Sequence, residues 1–187
     1  MPRRGSRSQF EALMLPHLDA AYNLACWLLR DAHEAEDAVQ DAYLKAYEAF
    51  AQFRGGSSAA WLLKIVRNTA MTMLRRRKSR SNVIVLKDLL NDSDPALGPG
   101  LQDVRNVPDR QVIAKAEQEA VRTALAGLSE IFREVIVLRE FEDMSYQEIA
   151  EVTQLPVGTV MSRLSRARRA LREALKENGE GDERSKL

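Results

Sequence analysis

Cysteine is almost absent from this chain of 187 residues. The lone thiol, Cys26, stands in an apolar stretch between Ala25 and Trp27. An internal disulfide is therefore excluded, and a reducing compartment with a buried structural thiol is expected. Histidine is nearly as scarce. His17 and His33 stand alone, without partners at the spacing a metal centre or general base needs. No apolar run is long enough to span a bilayer, and the basic start (Arg3, Arg4, Arg7) is not followed by a signal-peptide core. A cytoplasmic protein without stable membrane insertion is the expectation. Valine and isoleucine clusters bounded by turns are few, which argues against a large sheet. Gly55–Gly56 lacks the Lys–Ser/Thr of a phosphate-cradling loop. No internal repeat is visible.

What is present is helix-prone: 45% hydrophobic and 29% charged residues. The net charge of +1 conceals an alternation. Residues 61–81 carry +7 and residues 155–176 carry +5, whereas residues 10–60 and 112–154 carry −5 each. Two basic helical segments separated by acidic ones fit two distinct polyanion contacts better than a uniform nucleic-acid coat.

The second basic segment belongs to the stretch Met144 to Arg172, MSYQEIAEVTQLPVGTVMSRLSRARRALR. Ser145 and Glu148 form a capping-box pattern, and Met144 and Ile149 a hydrophobic staple. A short helix is thus predicted from Tyr146, burying Ile149, Ala150 and Val152. Pro156 ends that pattern, and a second helix starts near Val157. At helical spacing, Val160, Leu164, Ala167, Leu171 and Leu175 make its apolar stripe. Thr159, Ser162, Arg163, Arg166 and Arg169 fall on the other side. Hydroxyls and guanidinium groups on one outward face suit a helix in the major groove, reaching guanine edges and phosphates.

Further upstream, Phe10, Leu13, Met14, Leu18, Ala21, Tyr22 and Leu28 predict a helix over 9–30, bent or broken at Pro16. Asp31 with Glu34 gives a second capping-box pattern. The helix it opens should run to about Phe50. Val39, Ala42, Tyr43, Ala46, Tyr47 and Phe50 are its buried side. Glu36, Asp37, Gln40, Asp41 and Glu48 face outward. Gln52–Ser58 breaks it with two glycines. A helix over 59–78 follows, with Leu62, Ile65, Val66, Thr69, Met73 and Leu74 inward. Its other face carries Lys64, Arg67, Asn68, Met71 and Arg75, with Trp61 at the margin. Such residues contact phosphates and accept unstacked bases of single-stranded nucleic acid. Residues 79–111 read as a proline- and glycine-rich linker with one apolar exception, Val83–Leu86. Helices resume at Val112, with Ala114, Val121, Leu125 and Leu128. A further helix capped by Ser129 carries Ile131, Phe132, Val135, Ile136 and Leu138. The end, 177–187, reads as a frayed polar tail.

The motifs EDAVQDAYLKAY, WLLKIVRN and SYQEIAEVTQLPVGTVMSRLSRARRAL, in this order, resemble regions 2 and 4 of bacterial sigma factors. Only a short linker lies between them, as in the extracytoplasmic-function (ECF) group of the sigma-70 family. The resemblance implies an all-α fold of two small helical domains. Residues 1–78 would be region 2, 79–111 the linker, 112–176 region 4 and 177–187 a polar tail. It further implies that Asp37, Gln40, Asp41 and Lys45 dock on the clamp helices of the largest RNA polymerase subunit. Arg54, Trp61, Lys64, Arg67, Asn68, Met71 and Arg75 would recognise and melt the minus-ten element. The helix-turn-helix, through Thr159, Ser162, Arg163, Arg166 and Arg169, would read the minus-thirty-five element as duplex. The apolar side of region 4 would meet the flap of the second polymerase subunit, and an anti-sigma factor would hold the protein silent. Two departures stand out. Gln154 occupies a turn position where relatives often have glycine, and a left-handed conformation there would cost about 1 kcal/mol. Ala59 and Ala60 precede Trp61 where bulkier residues are expected.

Two other classes compete. An autonomous helix-turn-helix regulator would need dimer symmetry and a palindromic operator, and has no use for the polar face over 31–50. A metal-dependent nuclease would draw on Glu34, Glu36, Asp37 and Asp41, since phosphoryl chemistry wants converging carboxylates. Asp37 and Asp41, four residues apart, share a face, but no further carboxylate, histidine or nucleophile lies at diagnostic spacing, which suits a solvated acidic surface. No catalytic residue, metal or cofactor is assigned.

Overall fold

The computed structural model describes the backbone of residues 4–88 and 112–184, and the side chains of residues 7–79 and 119–176. Every regular element among them is helical. The chain divides into two compact units, Met1–Asp103 and Val104–Leu187.

In the first unit α1 (Arg4–Met14) gives way to a 3₁₀ turn at Leu15–His17. Pro16 lacks the N–H that a continuous helix requires there. The tighter turn advances each residue by about 120° instead of about 100°, so α2 (Leu18–Leu29) starts in a new phase. Leu18, expected inward, is therefore exposed, whereas Ala21, Leu24 and Leu28 are buried. Arg30 closes α2 in a left-handed conformation, φ 61°, its N–H donating to the Cys26 carbonyl at 2.9 Å. Asp31 then caps α3 (Ala32–Ala49), accepting from the Glu34 amide at 2.9 Å. The Glu34 carboxylate meets the Arg77 guanidinium at 3.2 Å.

The inner seam of α3 is alanine: Ala35, Ala38, Ala42 and Ala46 are buried. Small residues let α2 and α4 (Ser58–Asp88) approach closely. Leu62, Leu63, Val66, Thr69, Ala70 and Leu74 fill the α4 side, while Ile65 and Met73, expected among them, are half-buried. Phe10 of α1 closes one end, edge-on to Tyr43, Tyr47 and Phe50 at 6.4, 5.2 and 5.3 Å. The Tyr43 hydroxyl donates to the Met14 carbonyl at 2.8 Å. Burial, and then the charge of Asp19, push the Tyr43 phenol up to about 12. Cys26 is half-buried, less than expected, and burial raises its thiol above the usual range.

The second unit holds α5 (Val112–Gly127), α6 (Glu130–Ile136), a π-helical segment Val137–Phe141, α7 (Tyr146–Thr153) and α8 (Val157–Arg184). Leu125, Leu128, Val135, Ile136, Leu138, Ile149, Val152, Val160, Leu164 and Ala167 form its core. Val121 and Ile131, expected inward, are exposed, and Ala150 is half-buried. Ser129 sits at the N-cap of α6 without a side-chain capping bond. The α5 end is closed instead by buried Arg133, which donates to the carbonyls of Leu125, Ala126 and Leu128 at 3.0, 2.8 and 2.6 Å. Those are the carbonyls that a helix end and the turn after it leave without intrahelical donors.

Two expected boundaries move. The segment 79–88, expected as linker, continues α4, and 177–184, expected as a frayed tail, continues α8. The physical reason is the same in both: neither stretch contains proline, the first in the former region being Pro95. Lysine, arginine and glutamate sustain a helix, and the glycines of the second stretch, Gly179 and Gly181, each cost only about 1 kcal/mol. Val83–Leu86 thus lies within α4. Residues 89–111 lie outside the described residues, as does the side chain of Ala114.

Candidate nucleic-acid interface

In the turn before α8, Gln154 adopts the left-handed conformation, φ 59° and ψ 39°. The capping box that starts α7 is complete: the Ser145 hydroxyl accepts from the Glu148 amide at 3.2 Å, and the Glu148 carboxylate accepts from the Ser145 amide at 2.9 Å. Val160, Leu164 and Ala167 bury one side of α8. Ser162, Arg166 and Arg169 stand exposed opposite them, while Thr159 and Arg163 are half-buried at one edge of that face. The Ser162 hydroxyl donates to the Thr159 carbonyl at 3.0 Å, and Arg169 lies 4.0 Å from Glu173. Both partners of that ion pair are solvated, so it holds Arg169 only weakly. Arg168 is different. It donates twice to Glu140, at 2.7 and 3.1 Å, which locks α8 to the π-helical segment and raises the guanidinium further. Arg139 extends this clamp, donating to the Met144 carbonyl at 2.7 Å beneath the Tyr146 ring. Sequence reasoning missed Val157, Met161 and Ser165. They form an i, i+4, i+8 strip along the other edge of the exposed face.

The α4 face is assembled from below by aromatic packing. Phe50 stacks on Phe53 at 6.1 Å, and Phe53 lies 5.3 Å from the Trp61 ring. Trp61 is half-buried, and Arg54, in the loop before α4, is exposed. Gly55 and Gly56, φ 91° and 89°, make the loop between them, a conformation that side chains other than glycine enter only with strain. Ser57 receives the Ala60 amide at 3.2 Å, and Ser58 pairs with the His17 ring at 2.8 Å, fixing where α4 begins. Asn68 and Arg75 are exposed, while Lys64, Arg67 and Met71 are half-buried on the same side. Arg67 donates to the Asn68 side-chain oxygen at 3.4 Å. Arg77 donates to the Leu29 carbonyl and to Glu34, so it braces the α2–α3 corner.

On α3, Asp37, Gln40 and Asp41 are exposed together. Lys45 reaches the other way, its ammonium donating to Thr69 of α4 at 3.2 Å. Leu44 was missed. It is 64% exposed among these polar groups, an apolar anchor of the kind that interfaces bury. Among the described residues no three His, Cys, Asp or Glu side chains gather as metal ligands, and no helix is long and apolar enough to cross a membrane.

Residues 13–80 match the profile of Sigma-70 region 2, and residues 118–171 that of Sigma-70, region 4. The chain is 37% identical over 177 residues to the RNA polymerase sigma-H factor of Pseudomonas aeruginosa, covering 92% of this chain and 89% of that protein. It is 32% identical over 173 residues to the ECF RNA polymerase sigma-E factor of Escherichia coli, covering 90% and 87%. The chain belongs to the sigma-70 family, in its ECF group. Among solved structures, this ECF sigma chain is similar to the sigma factor RpoE of Bartonella quintana in complex with the anti-sigma factor NepR. The TM-score is 0.67 at 30% identity, over 90% of this chain and 97% of that one. In the sigma chain, the region 2 match holds both the carboxylate face of α3 and the basic face of α4 up to Arg80, and the region 4 match holds the outward face of α8.

Proposed function

We propose that this ECF sigma factor is a dissociable, non-catalytic subunit that brings core RNA polymerase to promoter DNA and starts transcription. One observation carries the reading. Exposed carboxylates and an amide on α3 oppose in chemistry the exposed cations on α4 and α8. A carboxylate face repels the phosphate backbone and suits a protein partner, whereas the cationic faces attract DNA.

Asp37, Gln40 and Asp41, with Lys45 at the margin, dock on the clamp helices of the largest polymerase subunit. Arg54, Trp61, Lys64, Arg67, Asn68, Met71 and Arg75 capture and unstack the minus-ten element. Opening a base pair costs a few kcal/mol, which such contacts offset by holding the freed bases. Thr159, Ser162, Arg163, Arg166 and Arg169 read the minus-thirty-five duplex, helped by groove shape. The apolar side of the second unit meets the polymerase flap. Residues 1–78 do the work of region 2 and 112–176 that of region 4, and 79–111 spans the distance between promoter elements. An anti-sigma factor silences the protein. The similarity to a sigma factor captured with such a partner supports this.

Run-off transcription with core polymerase on fragmented genomic DNA tests the reading. Discrete starts that need this protein, preceded by a shared pair of motifs, are the expected result. No protein-dependent starts together with no polymerase binding would overturn it.

A further inference from the structure

We infer that the opening turn of α8 reads thymine. Val157 and Met161 press on C5-methyl groups in the upstream promoter duplex, and Gly158 lets the DNA approach the helix backbone closely. This rests on the sigma reading above and deepens it by naming a base chemistry.

The first observation is exposure without an internal use. Met161 is 52% exposed and Val157 38%. They are one turn apart on the same edge of α8, away from the buried stripe of Val160, Leu164 and Ala167. The strip they start is uncharged, ending at Ser165, and runs beside exposed Ser162, Arg166 and Arg169. It is therefore continuous with the cationic face, whose charge complements the phosphates and holds the helix in the groove. Within the major groove only thymine presents a methyl group, and apolar side chains are what recognise it. The guanidinium and hydroxyl groups alongside read donors and acceptors. The apolar pair adds a chemistry they lack.

The second observation is Gly158. Its backbone is helical and not in the left-handed region that favours glycine. A Cβ placed on it would meet nothing within 4 Å. Neither packing nor backbone conformation within the fold therefore requires glycine at this second residue of α8. The missing side chain leaves the backbone of this first turn open to close approach by a ligand.

The test uses full-length protein with core polymerase on a promoter mapped by the run-off experiment. Thymines of the upstream element are replaced one at a time by deoxyuridine, which deletes only the methyl group. At one or two positions uracil should lower holoenzyme affinity about threefold to tenfold, the worth of a buried methyl or two. Met161→Ala should bind thymine and uracil duplexes alike. Gly158→Ala should melt at the same or a higher temperature and yet bind the promoter more weakly. Equal affinity for every uracil duplex, or a Met161→Ala variant that still discriminates, overturns methyl reading. A Gly158→Ala protein with wild-type promoter affinity overturns close approach. If the unmodified promoter yields no protein-dependent transcript, the sigma reading and this inference fall together.

Discussion

Gln154 holds a left-handed conformation that glycine adopts without strain. It does so because the α7 C-terminus must turn sharply before Pro156, and its own amide closes the helix on the Ala150 carbonyl. Replacing it by glycine should raise stability by about 0.5–1 kcal/mol, the relief being partly offset by the freer unfolded chain. Urea denaturation would show a higher midpoint, and an unchanged or lower one would mean that no strain is stored there. Tyr43 gives a second residue-scale expectation. Its phenol ionises near 10 when unfolded and about 12 when folded. Above pH 10 the unfolded chain therefore loses a proton that the folded chain keeps. This contribution to stability is complete below pH 10 and is lost as the pH rises from 10 to 12. Tyr43→Phe should flatten that alkaline decline, as thermal melts from pH 9 to pH 12 would reveal.

At the scale of elements, each candidate face is a helix side left over after the core has taken its share. On α3 the core takes an alanine seam, which leaves Asp37, Gln40, Asp41 and Leu44 outward. Gln40→Ala with Asp41→Ala is expected to weaken polymerase binding at least tenfold while the fold and the α8 face persist. Leu44→Ala alone should cost about 2 kcal/mol of binding if it is a buried anchor. Polymerase pull-down or titration measures both, and unchanged affinity would remove the docking role from α3. On α4, Lys64→Ala and Asn68→Ala are expected to impair initiation several-fold on duplex promoters and much less on a pre-melted template. Equal defects on the two templates would indicate plain DNA binding instead of strand opening.

Across the whole molecule, a net charge of +1 is the sum of opposed surfaces. The acidic segments repel a phosphate backbone, and the two cationic faces lie in separate compact units. Effects of substitutions in two different compact units are expected to add. Lys64→Ala combined with Arg166→Ala is therefore expected to reduce initiation by roughly the product of the single defects. Measured transcript rates for the four proteins give the coupling directly. A double variant no worse than the weaker single would mean that the faces act as one unit.

Much of this protein was determined by sequence alone. Local rules placed the Asp31 and Ser145 caps, the break at Pro16, the start of α8 at Val157 and the buried Val160, Leu164 and Ala167 of its stripe, whose Leu171 and Leu175 are only half-buried. Each depends on residues within about one turn of chain, where capping, proline sterics and helical periodicity dominate. The two-part charge pattern and the family motifs were legible for the same reason, being properties of contiguous segments. Tertiary structure decided what periodicity cannot carry. The 3₁₀ turn rotated Leu18 outward, neighbouring helices left Val121 and Ile131 uncovered, and Arg133 crossed to carbonyls five to eight residues away to close α5. Only packing showed that Lys45 leans on Thr69, that Arg77 braces a corner, and that Leu44 and Met161 face solvent. A helical wheel fixes where side chains point relative to one another. Which direction is inside depends on the other helices, and so on contacts between residues far apart in the chain.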